Sequence, residues 1–184
     1  MTPTKAYDLE LLPETISESG DRGHGWCFGL PPGITPDQWP LDRFNGFPLK
    51  HGFTLLLPED YRCHGPDIVA LSFFGISNDH HDGGVTRNEP VMAVLQAEAP
   101  PSDPLLRRLW QAMRSPHPRT FRVSDILDCE YAGILLTQSE FEAPFCLPPQ
   151  HGYAEDLHGD RRPAWLELGT ALAYWNDTYI SFEG

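Results

Sequence analysis

Apolar residues along this chain come in short bursts, divided by prolines, glycines and polar stretches, and the bursts have the length of strands. The longest, residues 67–75 (DIVALSFFG), is nearly continuous through Ile68, Val69, Leu71, Phe73 and Phe74, which suits a strand buried on both faces. Residues 51–57 (HGFTLLL) read as its neighbour, closed by Pro58, and residues 23–30 (GHGWCFGL) as a short buried strand. Residues 91–98 (VMAVLQAE) fit another strand, ended by Pro100 and Pro101, and residues 119–123 and 131–138 fit two more. Near the end, Thr178, Ile180 and Phe182 alternate with Tyr179 and Ser181, as in a half-buried strand, whereas residues 164–174 suit helix or strand equally.

One stretch has helical periodicity. Asp103 can cap it and Pro104 fits its first position, where the missing donor is not needed. Leu105, Leu106, Leu109, Trp110 and Met113 then share a face, with Arg107, Arg108 and Arg114 largely off it. Core packing is the simplest role for that stripe. Residues 1–22 read as an irregular or partly helical lead-in, and residues 31–49, 77–90 and 143–163 as loops, with Asn45-Gly46 marking a tight turn. The pattern predicts one α+β domain over residues 1–184, mainly β, with a twisted, mostly antiparallel sheet and one or two packed helices.

Composition narrows the function more than the fold. Of 184 residues, 13 are basic and 26 acidic, for a net charge of −13, which opposes binding to nucleic acid or to an anionic membrane and favours a basic partner. The charge is uneven: residues 61–119 balance at 6 and 6, while residues 120–184 carry 3 basic against 11 acidic side chains. The four cysteines, Cys27, Cys63, Cys129 and Cys146, lie far apart, which argues for reduced, mostly buried thiols rather than a disulfide framework. The start lacks the basic and apolar regions of a signal peptide and no apolar run approaches the ~20 residues of a membrane span, so the expected location is cytoplasmic.

Candidate chemistry is sparse. His80-His81-Asp82 offers ligand types, but adjacent residues rarely reach one ion together. Residues 151–160 (HGYAEDLHGD) bring His151, Glu155, Asp156, His158 and Asp160 close in sequence, and could serve as a metal or acid–base site. An acidic interaction loop anchored by Tyr153 suits the same residues better. Cys146, between prolines, has no helix N-terminus to activate it, and no nucleophile elbow, phosphate loop or dinucleotide fingerprint is present. Asp125, Asp128, Glu130, Glu140 and Glu142 read as a solvated face or as an acidic interface.

Residues 29–57 (GLPPGITPDQWPLDRFNGFPLKHGFTLLL) join a Gly/Pro opening to Trp39-Pro40, then Asn45-Gly46-x-Pro48-Leu49, then a strand. This order resembles the opening of the YwqG-like domain of unknown function, with Gly29-Leu30-Pro31 at the family's Gly-Gly-x-Pro and Thr54 or Leu55 at its strand glutamine. The resemblance implies a compact α+β domain with a twisted sheet, of a kind found among immunity proteins of bacterial toxin systems, type VI secretion included.

The role this resemblance implies is an immunity-type protein that binds a cognate toxin or effector and occludes its active site, and the acidic composition suits a basic partner. It would need no cofactor or metal, and Glu140, Glu142, Tyr153, Glu155, Asp156 and Asp160 would contact the partner. A metal-dependent hydrolase using the His151/His158 loop, and an adaptor or structural component of a secretion system, are the alternatives.

Overall fold

In the computed structural model, which describes residues 5–17, 20–44, 46–75, 87, 89–126, 129–149 and 170–180, the two strongest apolar bursts lie side by side as β3 (Lys50–Leu56) and β4 (Ile68–Gly75). They join β1 (Lys5–Thr15), β2 (Gly25–Cys27), β5 (Thr120–Ser124), β6 (Glu130–Thr137) and β7 (Thr170–Ile180) in one sheet. The strand order is β1-β7-β2-β3-β4-β6-β5, and every pairing is antiparallel. With α1 (Glu89–Gln96), α2 (Pro104–Arg114) and the single turn α3 (Gln138–Phe141), this is an α+β fold dominated by an antiparallel sheet.

Two expectations fail. Of residues 91–98, expected as a strand, 91–96 form most of α1 and none is strand. Val91, Val94 and Leu95 fall at i, i+3 and i+4, and that stripe packs with Leu41, Leu109 and Ala112, so tertiary contacts override the β preference of valine. The lead-in over residues 1–22 contains the 11-residue strand β1, whose irregular register with β7 explains why its sequence shows no clean alternation. Of the ambiguous residues 164–174, the described ones, 170–174, lie in strand β7, which runs on through 178–180 of the expected final strand; 164–169, 181 and 182 lie outside the described residues.

The helix expected after Asp103 forms: Pro104 opens it, and Leu106 N–H donates to the Asp103 carboxylate (3.3 Å). Trp110 Nε1–H and the Arg114 guanidinium both donate to the Ala97 carbonyl just past α1 (2.9 and 2.6 Å), tying the two helices together.

Residues 31–49 run without long elements yet are mostly packed. Trp39, Leu41 and Leu49 are buried, and Trp39 Nε1–H donates to Leu49 O (2.9 Å). Asp42 turns the chain, accepting from Phe44 N–H through its carboxylate (2.7 Å) and from Gly46 N–H through its carbonyl (2.8 Å). Gly46 sits at φ +76°, and a Cβ there would press on Val91 and Leu109 at 3.2–3.3 Å, so the turn needs glycine. This segment joins the sheet core, built on Trp26, Phe74, Ile134 and Leu136, to the small core between α1 and α2. Among the described residues no helix is long and apolar enough to cross a membrane.

Candidate protein-binding surface

Strand alternation divides the sheet into two unlike faces. On one, Trp26, Thr54, Ser72 and Ile134 align across β2, β3, β4 and β6, beside Phe74 and Ala132, and all are buried. α3 packs there through Phe141, against Trp26 (ring centroids 5.9 Å apart). On the other face Phe53 stacks on Phe73 (5.1 Å) and Phe73 on Tyr131 (5.9 Å). Phe121, from β5, lays its ring over Gly133, the residue opposite both it and Phe73 in the register. Phe53, Phe73, Leu71, Leu135 and Tyr131 are half-buried, and none belongs to either core cluster. Phe121 and Val123 are exposed, at 41% and 54%. The continuous burst over β4 is therefore sealed on one side only, a correction to the expected two-sided burial.

A row of rings on a half-open sheet face is suited to protein contact, because flat aromatic side chains offer area at little entropic cost. One acid borders it. Asp125 accepts Tyr131 O–H (3.3 Å) through one carboxylate oxygen and Cys129 N–H (3.0 Å) through the other. Burial, then the Asp125 charge and hydrogen bond, push the Tyr131 phenol above its ordinary range.

The sealed face hides a polar chain. His51, Thr54 and Ser72 are fully buried, with His51 Nδ1 at 3.2 Å from Phe28 O, Nε2 at 2.9 Å from Thr54 Oγ1, and Thr54 Oγ1 at 2.7 Å from Ser72 Oγ. A carbonyl only accepts, so Nδ1 carries the proton. Nε2 then accepts from the Thr54 hydroxyl, which accepts from Ser72. Burial lowers the His51 pKa to about 4, keeping the ring neutral as this arrangement needs. The chain is a Ser–Thr–His relay in form, but with no exposed atom for a substrate to reach it pins the backbone of Phe28. Phe28 is the described non-glycine residue at positive φ (+61°) and is 52% exposed.

The residues expected to contact a partner divide. Glu140 is turned inward: it completes the capping box of α3 with Thr137 and accepts from Arg119 through both oxygens and from His117 (3.2 Å). Burial alone would raise its pKa, but the Thr137 N–H, the Arg119 guanidinium, the Thr137 hydroxyl and His117 hold it down to about 2. Glu142 is exposed and accepts from the Gln138 side-chain amide (2.6 Å). Tyr153, Glu155, Asp156 and Asp160 lie outside the described residues, as do His151, His158 and the His80-His81-Asp82 cluster. Glu130 is buried, whereas Asp125 is half-buried.

None of the four cysteines is in a disulfide. Cys129 and Cys146 are buried, Cys27 half-buried and Cys63 exposed. Burial raises the Cys146 thiol to about 11, far from thiolate chemistry. Among the described residues no three His, Cys, Asp or Glu side chains gather as a metal site.

The aromatic row was missed in the sequence because its members come from four strands. Its signal was present in the odd-numbered positions Leu71 and Phe73 of β4 and Tyr131 of β6.

Fold and surface thus define an α+β protein with an antiparallel sheet, sealed on one face and aromatic on the other. No protein-family model, curated protein or solved structure matches this chain.

Proposed function

We propose that this chain is a cytoplasmic immunity-type protein that binds a cognate bacterial toxin or secreted effector, type VI effectors included, and neutralises it by covering its active site. The supporting observation is the Phe53–Phe73–Tyr131 row, extended by Phe121 and Val123 on a sheet face that neither core cluster uses. Apolar surface of this kind marks association sites. The net charge of −13 selects a basic partner and speeds its approach. Glu142, Tyr153, Glu155, Asp156 and Asp160 remain the proposed partner contacts on the strength of the sequence: Glu142 is exposed at the end of α3, which packs on the sealed face and is held there by Glu140, and the other four lie outside the described residues. The family resemblance implies a compact α+β domain with a twisted sheet for such a protein, and an α+β fold is compatible with that reading.

The test is affinity capture of the tagged chain from its native cells, with mass spectrometry of what accompanies it. One basic, toxin-like protein in near-equal amount is expected. Phe73→Asp should cut its capture by more than about tenfold, the loss of a central anchor. A chain recovered alone with stoichiometric metal, or Phe73→Asp with undiminished capture, would sink the reading.

A further inference from the structure

β2 runs straight into a turn at Phe28 and Gly29. Both have positive φ, +61° and +68°, the signs that the two central residues of a type I′ turn require. Asparagine, aspartate or glycine suits the first of those places, whereas a bulky aromatic residue there crowds its own backbone. Phe28 occupies it all the same, and burial is not the reason, since the residue is 52% exposed. Neither the turn nor the core calls for phenylalanine at this position.

The fold nonetheless fixes it firmly. Phe28 N–H donates to Gly52 O (2.7 Å), the Phe28 carbonyl accepts from His51 Nδ1 (3.2 Å), and Trp26 Nε1–H donates to Leu30 O (3.1 Å) on the far side of the turn. Thr54 and Ser72 stand behind His51, so the whole buried polar chain ends on the Phe28 carbonyl. With its N–H and carbonyl engaged inside, Phe28 has its ring to offer another molecule. Residues in unfavourable backbone regions persist where their surroundings over-determine them, and they cluster at functional sites. The turn also adjoins the half-open face, because Cys27 lies opposite Phe53 in the β2–β3 register. The Pro32–Phe145 bridge and the bond from Cys146 N–H to Pro31 O (2.8 Å) bring Leu147, 62% exposed, level with Leu30.

We propose that Phe28 is a preformed anchor that inserts into an apolar pocket of the partner protein, with Leu147 at the rim of the contact. A half-exposed ring held on a rigid turn matches a pocket, and a turn that binding does not have to order loses less entropy on contact. The strain at Phe28 is then carried by the free protein for the sake of the complex, and the His51–Thr54–Ser72 chain is what maintains it. This deepens the toxin reading and rests on it for the partner: one residue separates the turn from the row that begins at Phe53, so one protein can cover both.

The test needs two readouts on the same variants of the full chain, Phe28→Asn and Phe28→Gly. Thermal melting comes first. Both variants suit the turn, so both should melt roughly 2–4 °C above the parent chain. The second readout is calorimetric titration with the basic protein that accompanies the tagged chain, identified and then purified. Both variants should bind it at least about tenfold more weakly, and Leu147→Ser less than that. Better melting with weaker binding is the signature of a residue kept for contact. Lower melting temperatures would mean that the ring serves the fold, and would overturn the proposal without any partner. Unchanged affinity for folded Phe28→Asn overturns it too, and leaves the toxin reading standing if Phe73→Asp still loses the partner. Weaker binding by Phe28→Asn beside undiminished binding by Phe73→Asp keeps the anchor and removes the aromatic row. A dimer on size-exclusion chromatography that Phe28→Asn converts to monomer overturns the proposal, since the pocket then belongs to a second copy.

Discussion

The two faces of this sheet are made by alternate residues of the same strands, yet they do not divide simply into apolar and polar. The sealed face contains the polar side chains His51, Thr54 and Ser72, and the half-open face contains the aromatic row of Phe53, Phe73 and Tyr131. On the sealed side polarity is tolerable because each polar atom meets a partner: imidazole to hydroxyl, hydroxyl to hydroxyl, imidazole to carbonyl. On the half-open side the apolar area is unspent by folding and is left for association. The comparison teaches that residue chemistry along a strand does not reveal which side is buried; packing against Trp26, Trp39 and Phe141 does.

The sharpest way to break this comparison is to cut the same ring from each face. Phe74→Ala, fully buried between Trp39 and His51, should cost about 3–5 kcal/mol in urea denaturation. Phe73→Ala should cost roughly 1 kcal/mol, the worth of a partly solvated stacking partner. Equal costs would mean that the second face is sealed in the folded protein, and would remove it as a binding surface.

Thr54→Val keeps the shape of the side chain but leaves His51 Nε2 and the Ser72 hydroxyl unsatisfied in the core. It should cost about 1–3 kcal/mol by the same measurement. A neutral result would show that the polar chain is dispensable to the fold.

Acid titration separates two smaller effects. His51 falls from 6.5 to about 4 on folding, so the unfolded chain takes the proton first. The stability His51 lends is full above pH 6.5 and is lost as pH falls towards 4, at up to about 1.4 kcal/mol per pH unit. Glu140 falls from 4.5 to about 2, so its contribution is full above pH 4.5 and is lost as pH drops through 2. Its slope should be shallower, because solvent screens the partly exposed carboxylate. Stability measured against pH should therefore decline in two stages. Replacing His51 with Gln should erase the upper stage and Glu140→Gln the lower. A single decline beginning below pH 4.5 would contradict the buried, neutral imidazole.

Much of the strand framework was legible in the sequence. Short apolar bursts at residues 51–57, 67–75 and 131–138 become β3, β4 and β6, and Asp103-Pro104 opens α2 through a local cap. Such signals lie within a few residues of each other, so they survive without knowledge of the fold. Residues 91–96 did not read correctly, because Val91, Val94 and Leu95 fit either period until Leu41 and Leu109 choose one. Glu140 looked like surface acid, and only the strand that brings Arg119 beside it makes it an internal anchor.

The sequence by itself determined the strands near residues 51–57, 67–75 and 131–138, the helix that opens at Pro104, the acidic balance of the whole, and the turn at Gly46, because these follow from local sterics, periodicity and charge. Tertiary structure alone decided that the aromatic residues of four strands form one row, that β5 is an edge, and that two arginines 79 positions apart in the numbering, 43 and 122, share Glu130. Those features depend on which strand lies beside which. Strand order is set by long-range burial, which no local window of sequence contains.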